Sequence, residues 1–277
     1  MQLGYCNSLI GQNRPRGAGF VGALDGYTAN LTVAASAQYR MLSAWTDGLL
    51  TGWRSSDSTT LALGALANGV VDSAAAEAFA PSGTFNLTQL NDQTGNARHW
   101  LPPATVNAPR LANGGTWDGG MVFTSTTPSV IDIASAAASN YTDGTNVQVV
   151  FSYCSAASAS SRVFDFGPDK ISAWLEISSA VFWDVPFPDG RVSAATPTGT
   201  FGANNVISFE REGTTARVRL NGSIVISGTV SGTISATSIF RFGATIAGSA
   251  GWDGKIRTIA IWKDCVNPGA RAAAIVF

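Results

Sequence analysis

Carboxylate side chains are the candidate catalytic residues of this sequence, and the reaction that they could catalyse is glycoside hydrolysis. That reaction needs two carboxyl groups at a defined separation, one of them with a raised pKa. The candidates in the region of predicted strands are Asp165, Glu176, Asp184, Glu210 and Glu212. Glu176 follows Trp174 in the alternating run 173–177, so a strand there places both side chains on one face, as in a sugar groove. The alternative for Glu176 is an outward-facing strand position. Glu210 and Glu212 lie near a strand end, where solvated charge is the usual arrangement.

Tryptophan side chains could supply a binding surface, because sugar rings stack on exposed indole faces. Trp53, Trp100 and Trp183 occur in loop-like contexts and are the predicted glycan-stacking residues. Glu176 joins them as a predicted ligand-binding residue. The alternative for the three tryptophans is burial in the core or in an interface. Trp262 ends a strand that is largely apolar on both faces, and we predict that it is a core residue.

The cysteines and the histidine exclude the common zinc sites. The chain has three cysteines at wide spacing and one histidine, His99, so neither a Cys₄ nor a Cys₂His₂ site can form. His99 follows the segment 92–96, which is typical of a tight turn stabilised by Asp and Asn side chains. His99 could act as a base, but a surface or packed position is the main prediction. Arg54 and Asp57 predict a local salt bridge.

Composition indicates a β-rich protein with part of its surface covered. Charged residues make up 13% of the 277 residues and the net charge is −1, which argues against a nucleic-acid binder. There are 14 Arg, 3 Lys and 30 Gly.

No run of 18 apolar residues exists, so we expect no membrane insertion. Residues 1–17 lack the apolar stretch of a secretory signal, so we expect a protein that acts where it is made, leaves by another route or has lost its leader.

The elements that must position these residues are mostly strands. Residues 1–30 predict an extended N-terminal arm, and residues 31–277 predict one β-sandwich with a loop-rich first section, 31–83. Helices are predicted at 34–42, at 72–79 with Asp72 as the N-cap, and at 268–275. Asn221-Gly222 between two alternating runs predicts a hairpin with a type I′ turn. The Ala/Ser stretch 155–161 predicts a mobile loop. The further predicted strands are 85–90, 121–123, 146–153, 162–166, 173–177, 206–211, 238–243 and 254–263.

Motifs in both halves resemble known proteins. In the C-terminal half these motifs are 207–211, 216–222, 242–244 and 252–262, preceded by 117–123. Residues 115–277 resemble laminin-G-like, concanavalin A-like jelly rolls. The N-terminal motifs are 39–45, 54–57 and 91–99. They are similar to a segment that precedes jelly rolls in bacteriophage virion proteins and that also occurs in the catalytic domain of fungal-type α-L-arabinofuranosidase B. Asn91 and Thr94 depart from that pattern, which would have an aromatic residue and Ser.

The resemblance implies an all-β, concanavalin A-like (laminin-G-like) jelly-roll sandwich with one or two short helices. No position matches the arabinofuranosidase nucleophile or acid, so we predict no catalytic residue. Related jelly rolls often bind calcium, which leaves calcium as the open cofactor candidate, although no DxDxDG-type loop occurs. The Asp residues in turn-rich stretches that could bind it are Asp165, Asp169, Asp184 and Asp189.

We therefore expect a non-enzymatic bacteriophage virion protein, made in the host cytoplasm. It would serve as a capsid decoration, a head or tail fibre, or a tail-tip component. Its expected partners are other virion proteins, further copies of itself (a trimer is what phage fibres suggest) and host-surface glycan. One alternative is a glycoside hydrolase or depolymerase of the arabinofuranosidase-like class. The other is a carbohydrate-binding module.

Overall fold

The computed structural model describes residues 20–137, 140–155, 161–166, 171–175, 181–185, 190–194, 204–234, 237–246 and 251–275. Within these residues the chain forms strands and two short helices. The helices are α1 (Ser73–Phe79) and α2 (Pro268–Ala274). The strands in chain order are β1 (Leu31–Ser36), β2 (Leu50–Arg54), β3 (Thr60–Leu63), β4 (Thr84–Leu90), β5 (Arg110–Asn113), β6 (Thr116–Phe123), β7 (Ile131–Ala137), β8 (Asn146–Ser155), β9 (Ser161–Phe166), β10 (Ile171–Leu175), β11 (Val181–Asp184), β12 (Arg191–Ala194), β13 (Asn205–Glu212), β14 (Thr215–Leu220), β15 (Ser223–Thr229), β16 (Thr237–Phe242) and β17 (Gly254–Trp262).

Two antiparallel sheets form the sandwich. The large sheet has 11 strands in the order β15-β14-β13-β8-β17-β6-β5-β4-β2-β3, with β1 paired to the second half of β17. The small sheet has 6 strands in the order β12-β11-β10-β9-β16-β7. We call the sides that face each other the inner faces and the opposite sides the outer faces. This arrangement confirms the predicted all-β jelly-roll sandwich.

The inner core is dominated by aromatic rings from both sheets. Phe164 on β9 and Phe242 on β16 meet Phe151 on β8 and Phe209 on β13, with centroid separations of 5.4 to 6.2 Å. These residues are buried, and Phe209 and Phe242 follow the polar residues Ser208 and Arg241 along their strands. Such alternation is the pattern of a strand that has one face on a core. Aromatic side chains from both sheets therefore hold the sandwich together.

Helix α1 covers the inner face of the large sheet near β3 and β6. Its Ala76 and the following Ala80 are fully buried, and Phe79 packs edge-on against Phe85 at 5.6 Å. The carboxylate of Asp72 accepts a hydrogen bond from the Ala75 backbone N–H at 3.1 Å, which confirms the predicted N-cap.

A second, smaller core lies on the outer face of the large sheet. Leu24, Met41 and Trp262 are buried there with Val150 of β8 and Ala272 of α2. The indole N–H of Trp262 donates to the Tyr27 carbonyl at 2.8 Å, and this contact confirms the predicted core position of Trp262. Residues of the N-terminal segment and α2 thus form a third layer over the central strands.

The predicted helix at 34–42 is wrong, because residues 31–36 form strand β1. All six residues of β1 are buried. Val33 and Ala35 belong to the inner core, whereas Leu31 and Ala34 belong to the second core. A strand with both faces buried shows no period-2 alternation, and its small alanines satisfy a helical pattern equally well. Pairing with β17 therefore overrides local propensity.

The other sequence predictions that fall on described residues are largely confirmed. Asn221 (φ 50°) and Gly222 (φ 87°) both have positive φ and connect β14 to β15, as a type I′ turn requires. The predicted C-terminal helix is α2. The loop predicted at 155–161 lies mostly outside the described residues, as do residues 176 and 177 of the predicted strand 173–177. Among the residues that the structure describes, no helix is both long and apolar enough to span a membrane.

Candidate functional site

Two of the three predicted sugar-stacking tryptophans are core residues, which corrects that prediction. Trp100 and Trp183 are both 0% exposed. Trp100 packs edge-on against Phe240 and Phe242, at 5.6 and 5.2 Å. The indole N–H of Trp183 on β11 crosses the sandwich and donates to the Glu210 carbonyl at 3.2 Å. Neither indole face is open to solvent, so neither can stack on a sugar.

Trp53 occupies a different environment from the other two. It lies on β2 opposite Asn86 of β4, on the outer face of the large sheet, and is half-buried. Phe85, which precedes Asn86 in β4, points to the opposite side and contacts α1. The Trp53 indole Nε1 is buried and has no hydrogen-bond partner among the described residues. Glu176, the fourth predicted site residue, lies outside the described residues.

A row of charged side chains crosses the outer face of the small sheet. The backbone register aligns Asp132 of β7 with Arg241 of β16, and Arg241 with Asp165 of β9. Two strands further on, Asp184 of β11 is opposite Arg191 of β12. We call these five residues the charged row. Asp132, Asp165, Asp184 and Arg241 are buried, although their side chains point away from the apolar core.

Arg241 is the centre of the charged row. Its Nε and Nη2 donate to the two carboxylate oxygens of Asp132, each at 2.7 Å. Its Nη1 donates to the carbonyls of Thr245 and Ile246 at 3.2 and 2.9 Å. The Ile246 N–H donates in turn to Asp165 at 3.0 Å. The row therefore holds the segment that follows β16 against the sheet.

The remaining carboxylates of the charged row are also held by arginine. Arg162 donates to Asp165 at 3.1 Å. Arg191 forms two hydrogen bonds to the Asp184 carboxylate, at 2.5 and 2.8 Å. Bidentate pairs of this kind fix both oxygens of a carboxylate in one geometry. The arrangement is suited to holding strands and loops in place, and in Asp184 it occupies both carboxylate oxygens.

Glu210 lies in a polar network on the outer face of the large sheet, where the sequence predicted solvated charge. It is 0% exposed. It accepts hydrogen bonds from the Ser208 hydroxyl at 2.8 Å and from Arg219 at 2.9 and 3.2 Å. Gln148 extends the network by donating to Ser208 and to the Pro268 carbonyl at the start of α2. Burial raises the pKa of Glu210 above its ordinary value, and α2 packs against β13 on this face, so the carboxylate is closed off from solvent.

The segment 92–96 forms the predicted turn and ties the N-terminal strand to the sandwich. The buried Asp92 carboxylate accepts hydrogen bonds from the backbone N–H groups of Ala34, Thr94 and Arg98 at 3.1 to 3.2 Å. Its own N–H donates to Nδ1 of His99 at 3.1 Å. The side chain of Gln93 accepts from the Met41 N–H at 2.7 Å. His99 is thus half-buried and packed against this turn.

Two further local predictions concern Arg54 and the cysteines. Arg54 donates to both carboxylate oxygens of Asp57, which confirms the predicted salt bridge. Cys154 and Cys265 are free thiols, and burial raises the pKa of Cys265 to about 12. In the part of the chain that the structure describes, no group of three His, Cys, Asp or Glu side chains could hold a metal ion. Two of the four candidate calcium ligands, Asp169 and Asp189, lie outside that part.

The fold is similar to that of known glycoside hydrolases. A GH54 α-L-arabinofuranosidase soaked with a cyclic sulfate inhibitor superposes with a TM-score of 0.69 and 15% identity, covering 92% of this chain and 64% of that chain. An arabinofuranosidase complexed with arabinofuranosyl-α-1,2-xylobiose superposes with a TM-score of 0.70 and 15% identity, covering 92% of this chain and 65% of that chain. A Trypanosoma rangeli sialidase gives a TM-score of 0.50 at 11% identity, covering 68% of this chain and 30% of that chain.

These likenesses concern the fold. The chain spans less than two thirds of the length of the arabinofuranosidases it matches. No family model matches the sequence, and no curated protein matches it significantly. The predicted similarity to the arabinofuranosidase catalytic domain is therefore confirmed at the level of fold.

Proposed function

We propose that this chain is a non-enzymatic jelly-roll protein of a bacteriophage particle that binds glycan on the host surface. The observation that supports a non-enzymatic role is the state of the buried carboxylates in the described part of the chain. Four of them, Asp132, Asp165, Asp184 and Glu210, accept hydrogen bonds from arginine. The fifth, Asp92, is occupied by backbone and hydroxyl donors. A glycosidase needs two carboxyl groups that are open to the sugar.

The glycan-binding role is supported by the fold. The neighbouring structures include an arabinofuranosidase in complex with an arabinofuranosyl xylobiose and a sialidase in complex with 2,3-difluorosialic acid. A scaffold can keep a binding face while its catalytic residues differ, because function depends on the site and not on the fold. A half-buried tryptophan on an outer sheet face, Trp53, offers such a face here.

The particle location is supported by the N-terminal motifs 39–45, 54–57 and 91–99, which resemble phage virion proteins. The low charged fraction, 13%, also fits a surface that is partly covered by other virion proteins or by further copies of the chain. A capsid decoration, a fibre and a tail-tip component would each have part of its surface covered in this way.

Quantitative mass spectrometry of purified particles tests the location. We expect a fixed number of copies per particle: hundreds for a decoration protein, or a small multiple of three or six for a fibre. A particle preparation that lacks the chain would refute the virion role and would favour the enzyme or the carbohydrate-binding module.

Sugar release from host-surface polysaccharide tests the non-enzymatic role. We expect the intact protein to release no reducing ends. Glu176, Asp169 and Asp189 are the carboxylates that the described structure does not place, so Glu176→Gln is the informative variant. Glu212→Gln is its control, because Glu212 forms an exposed ion pair with Arg217. Release that Glu176→Gln abolishes and Glu212→Gln leaves intact would overturn the proposal in favour of a hydrolase.

A further inference from the structure

The outer face of the large sheet carries an in-register row of half-buried polar and aromatic residues. The row begins beside the edge strand β3 with Trp53 of β2, which is opposite Asn86 of β4. Asn86 is opposite Arg110 of β5, and Arg110 is opposite Val122 of β6. Val122 is opposite Lys255 of β17. Each of these residues is half-buried, and their inner-face neighbours Phe85, Met121 and Ile256 are in the core.

This row is a flat surface of considerable length. Neighbouring strands lie about 4.8 Å apart, so the four steps from β2 to β17 span roughly 19 Å. The second core and α2 cover the face elsewhere, over β1, β8 and β13. We call the surface formed by Trp53, Asn86, Arg110, Lys255 and Arg257 the platform. Its length suits an extended oligomer better than a single small molecule.

Positive charge collects at the β17 end of the platform. Lys255 and Arg257 extend over the bulge at Gly120, where an added Cβ would lie 3.0 Å from Lys255 Cγ and 2.9 Å from Arg257 Cγ. Gly120 has φ 142°, so the bulge and its missing side chain make room for both cationic stems. Arg257 Nε donates to the Gly119 carbonyl at 3.0 Å, which fixes its position.

Among the residues that the structure describes, one carboxylate, that of Asp118, lies in this cluster, and it is already paired. Asp118 accepts two hydrogen bonds from Arg110, at 2.8 and 3.2 Å. The ammonium group of Lys255 has no ion-pair or hydrogen-bond partner within the described ranges. Burial and the neighbouring Arg257 lower the pKa of Lys255 below its ordinary value, as expected where cations outnumber carboxylates. An anionic group placed here would relieve that repulsion.

The opposite end of the platform offers different chemistry. Trp53 supplies an aromatic surface, and its buried indole N–H has no partner among the residues described. Asn86 stands between the tryptophan and the cations. Aromatic stacking, amide groups and spaced cations together are suited to a ligand that has apolar ring faces, hydroxyl groups and periodic negative charge.

We propose that the platform binds an acidic polysaccharide, with a carboxylate of the polymer at Lys255 and Arg257 and a sugar ring at Trp53. This inference rests on the proposed glycan-binding role and deepens it by assigning a site and a ligand class. A nucleic acid would also be anionic. It is the poorer fit, because one aromatic residue cannot form a stacking path and the chain as a whole has a net charge of −1.

Isothermal titration calorimetry with an oligogalacturonate, at low and at physiological salt, tests the inference. The comparison ligands are a neutral oligogalactan of equal length and a single-stranded oligonucleotide. We expect the oligogalacturonate to bind most tightly, and its binding to weaken with salt as for other exposed charge contacts. Lys255→Gln should weaken the binding of the oligogalacturonate by about tenfold, because the variant loses a charge-assisted hydrogen bond to the ligand.

Lys263→Gln is the matched control, because Lys263 is a half-buried lysine just beyond the other end of β17, outside the platform. It should bind the oligogalacturonate as the wild type does. Equal affinity of Lys255→Gln and wild type would refute the site. Preference for the neutral oligogalactan would refute the ligand class while leaving the glycan-binding role intact. Absence of binding to both sugars would refute the inference and that role together, and preference for the oligonucleotide would replace the inference by nucleic-acid binding.

Discussion

Replacing Arg241 by methionine should destabilise the protein more than any surface charge substitution. Both members of the Asp132–Arg241 pair are nearly inaccessible, with side chains 9% and 10% exposed. The substitution leaves the Asp132 carboxylate buried without its guanidinium, and it removes the donor to the carbonyls of Thr245 and Ile246. Breaking one partner out of a buried ion pair costs about 3–5 kcal/mol. We expect a loss of free energy of unfolding in that range for Arg241→Met.

A double variant separates the cost of the orphaned charge from the loss of packing. In Asp132→Val/Arg241→Met no buried carboxylate remains, and apolar replacement of a buried pair is often close to neutral. The two carbonyls still lack their donor, so we expect recovery to within about 2 kcal/mol of the wild type. Urea unfolding at equilibrium, followed by tryptophan fluorescence, measures the stability of these proteins. Adding the single variant Asp132→Val completes the double-mutant cycle and gives the coupling energy of the pair.

The control is the same substitution at an exposed pair. Arg217 and Glu212 form an ion pair at 3.0 Å, with side chains 25% and 58% exposed. Arg217→Met should cost less than about 1 kcal/mol. The reasoning fails if Arg241→Met is no more costly than Arg217→Met, or if the double variant is no more stable than Arg241→Met alone.

Three further predictions concern other buried groups. Because burial raises the pKa of Glu210, the wild type should lose stability as pH rises above 4.5, the ordinary pKa of a glutamate. Glu210→Gln should lack this loss when the free energy of unfolding is compared at acidic and at neutral pH. Cys265, buried and with a pKa raised to about 12, should resist iodoacetamide in the native state while the half-buried Cys154 is alkylated, as peptide mass spectrometry would show. Asp92→Ala should cost about 3 kcal/mol in urea unfolding, because buried N–H groups lose their acceptor, whereas the exposed Asp47→Ala should change little.

The features that could be predicted from the sequence depend on neighbours in the chain. The turn at Asn221-Gly222 needs only positive φ at two adjacent positions. The Asp72 cap acts on a residue three positions later. The Arg54–Asp57 pair also spans three positions. Local chemistry of this kind is the same in any fold, so a single sequence is sufficient to identify it.

The features that were missed depend on pairing between distant strands. Asp132 and Arg241 are separated by 109 positions, and only the sheet register brings them together. Trp100 and Trp183 lie in loop-like sequence, yet both side chains are in the core. Trp100 is held there by an isolated β-bridge to Leu90, and Trp183 by its place in strand β11. A loop-like sequence does not predict whether a side chain points into the core or towards solvent. The platform has the same origin, because its members come from four strands that are distant in the chain.

The excess of arginine over lysine carries structural information beyond indicating a β-rich composition. The sequence has 14 Arg and 3 Lys, and each ion pair in the described part of the chain uses arginine. A guanidinium can satisfy a carboxylate and two carbonyls at once, as Arg241 does, whereas an ammonium group is a compact, strongly hydrated charge that resists burial. A sandwich that buries carboxylates therefore selects arginine as their partner. The same argument gives Lys255 its significance: it is a lysine on a sheet face, without a carboxylate partner among the described residues, and such a group is suited to a ligand that arrives from solvent.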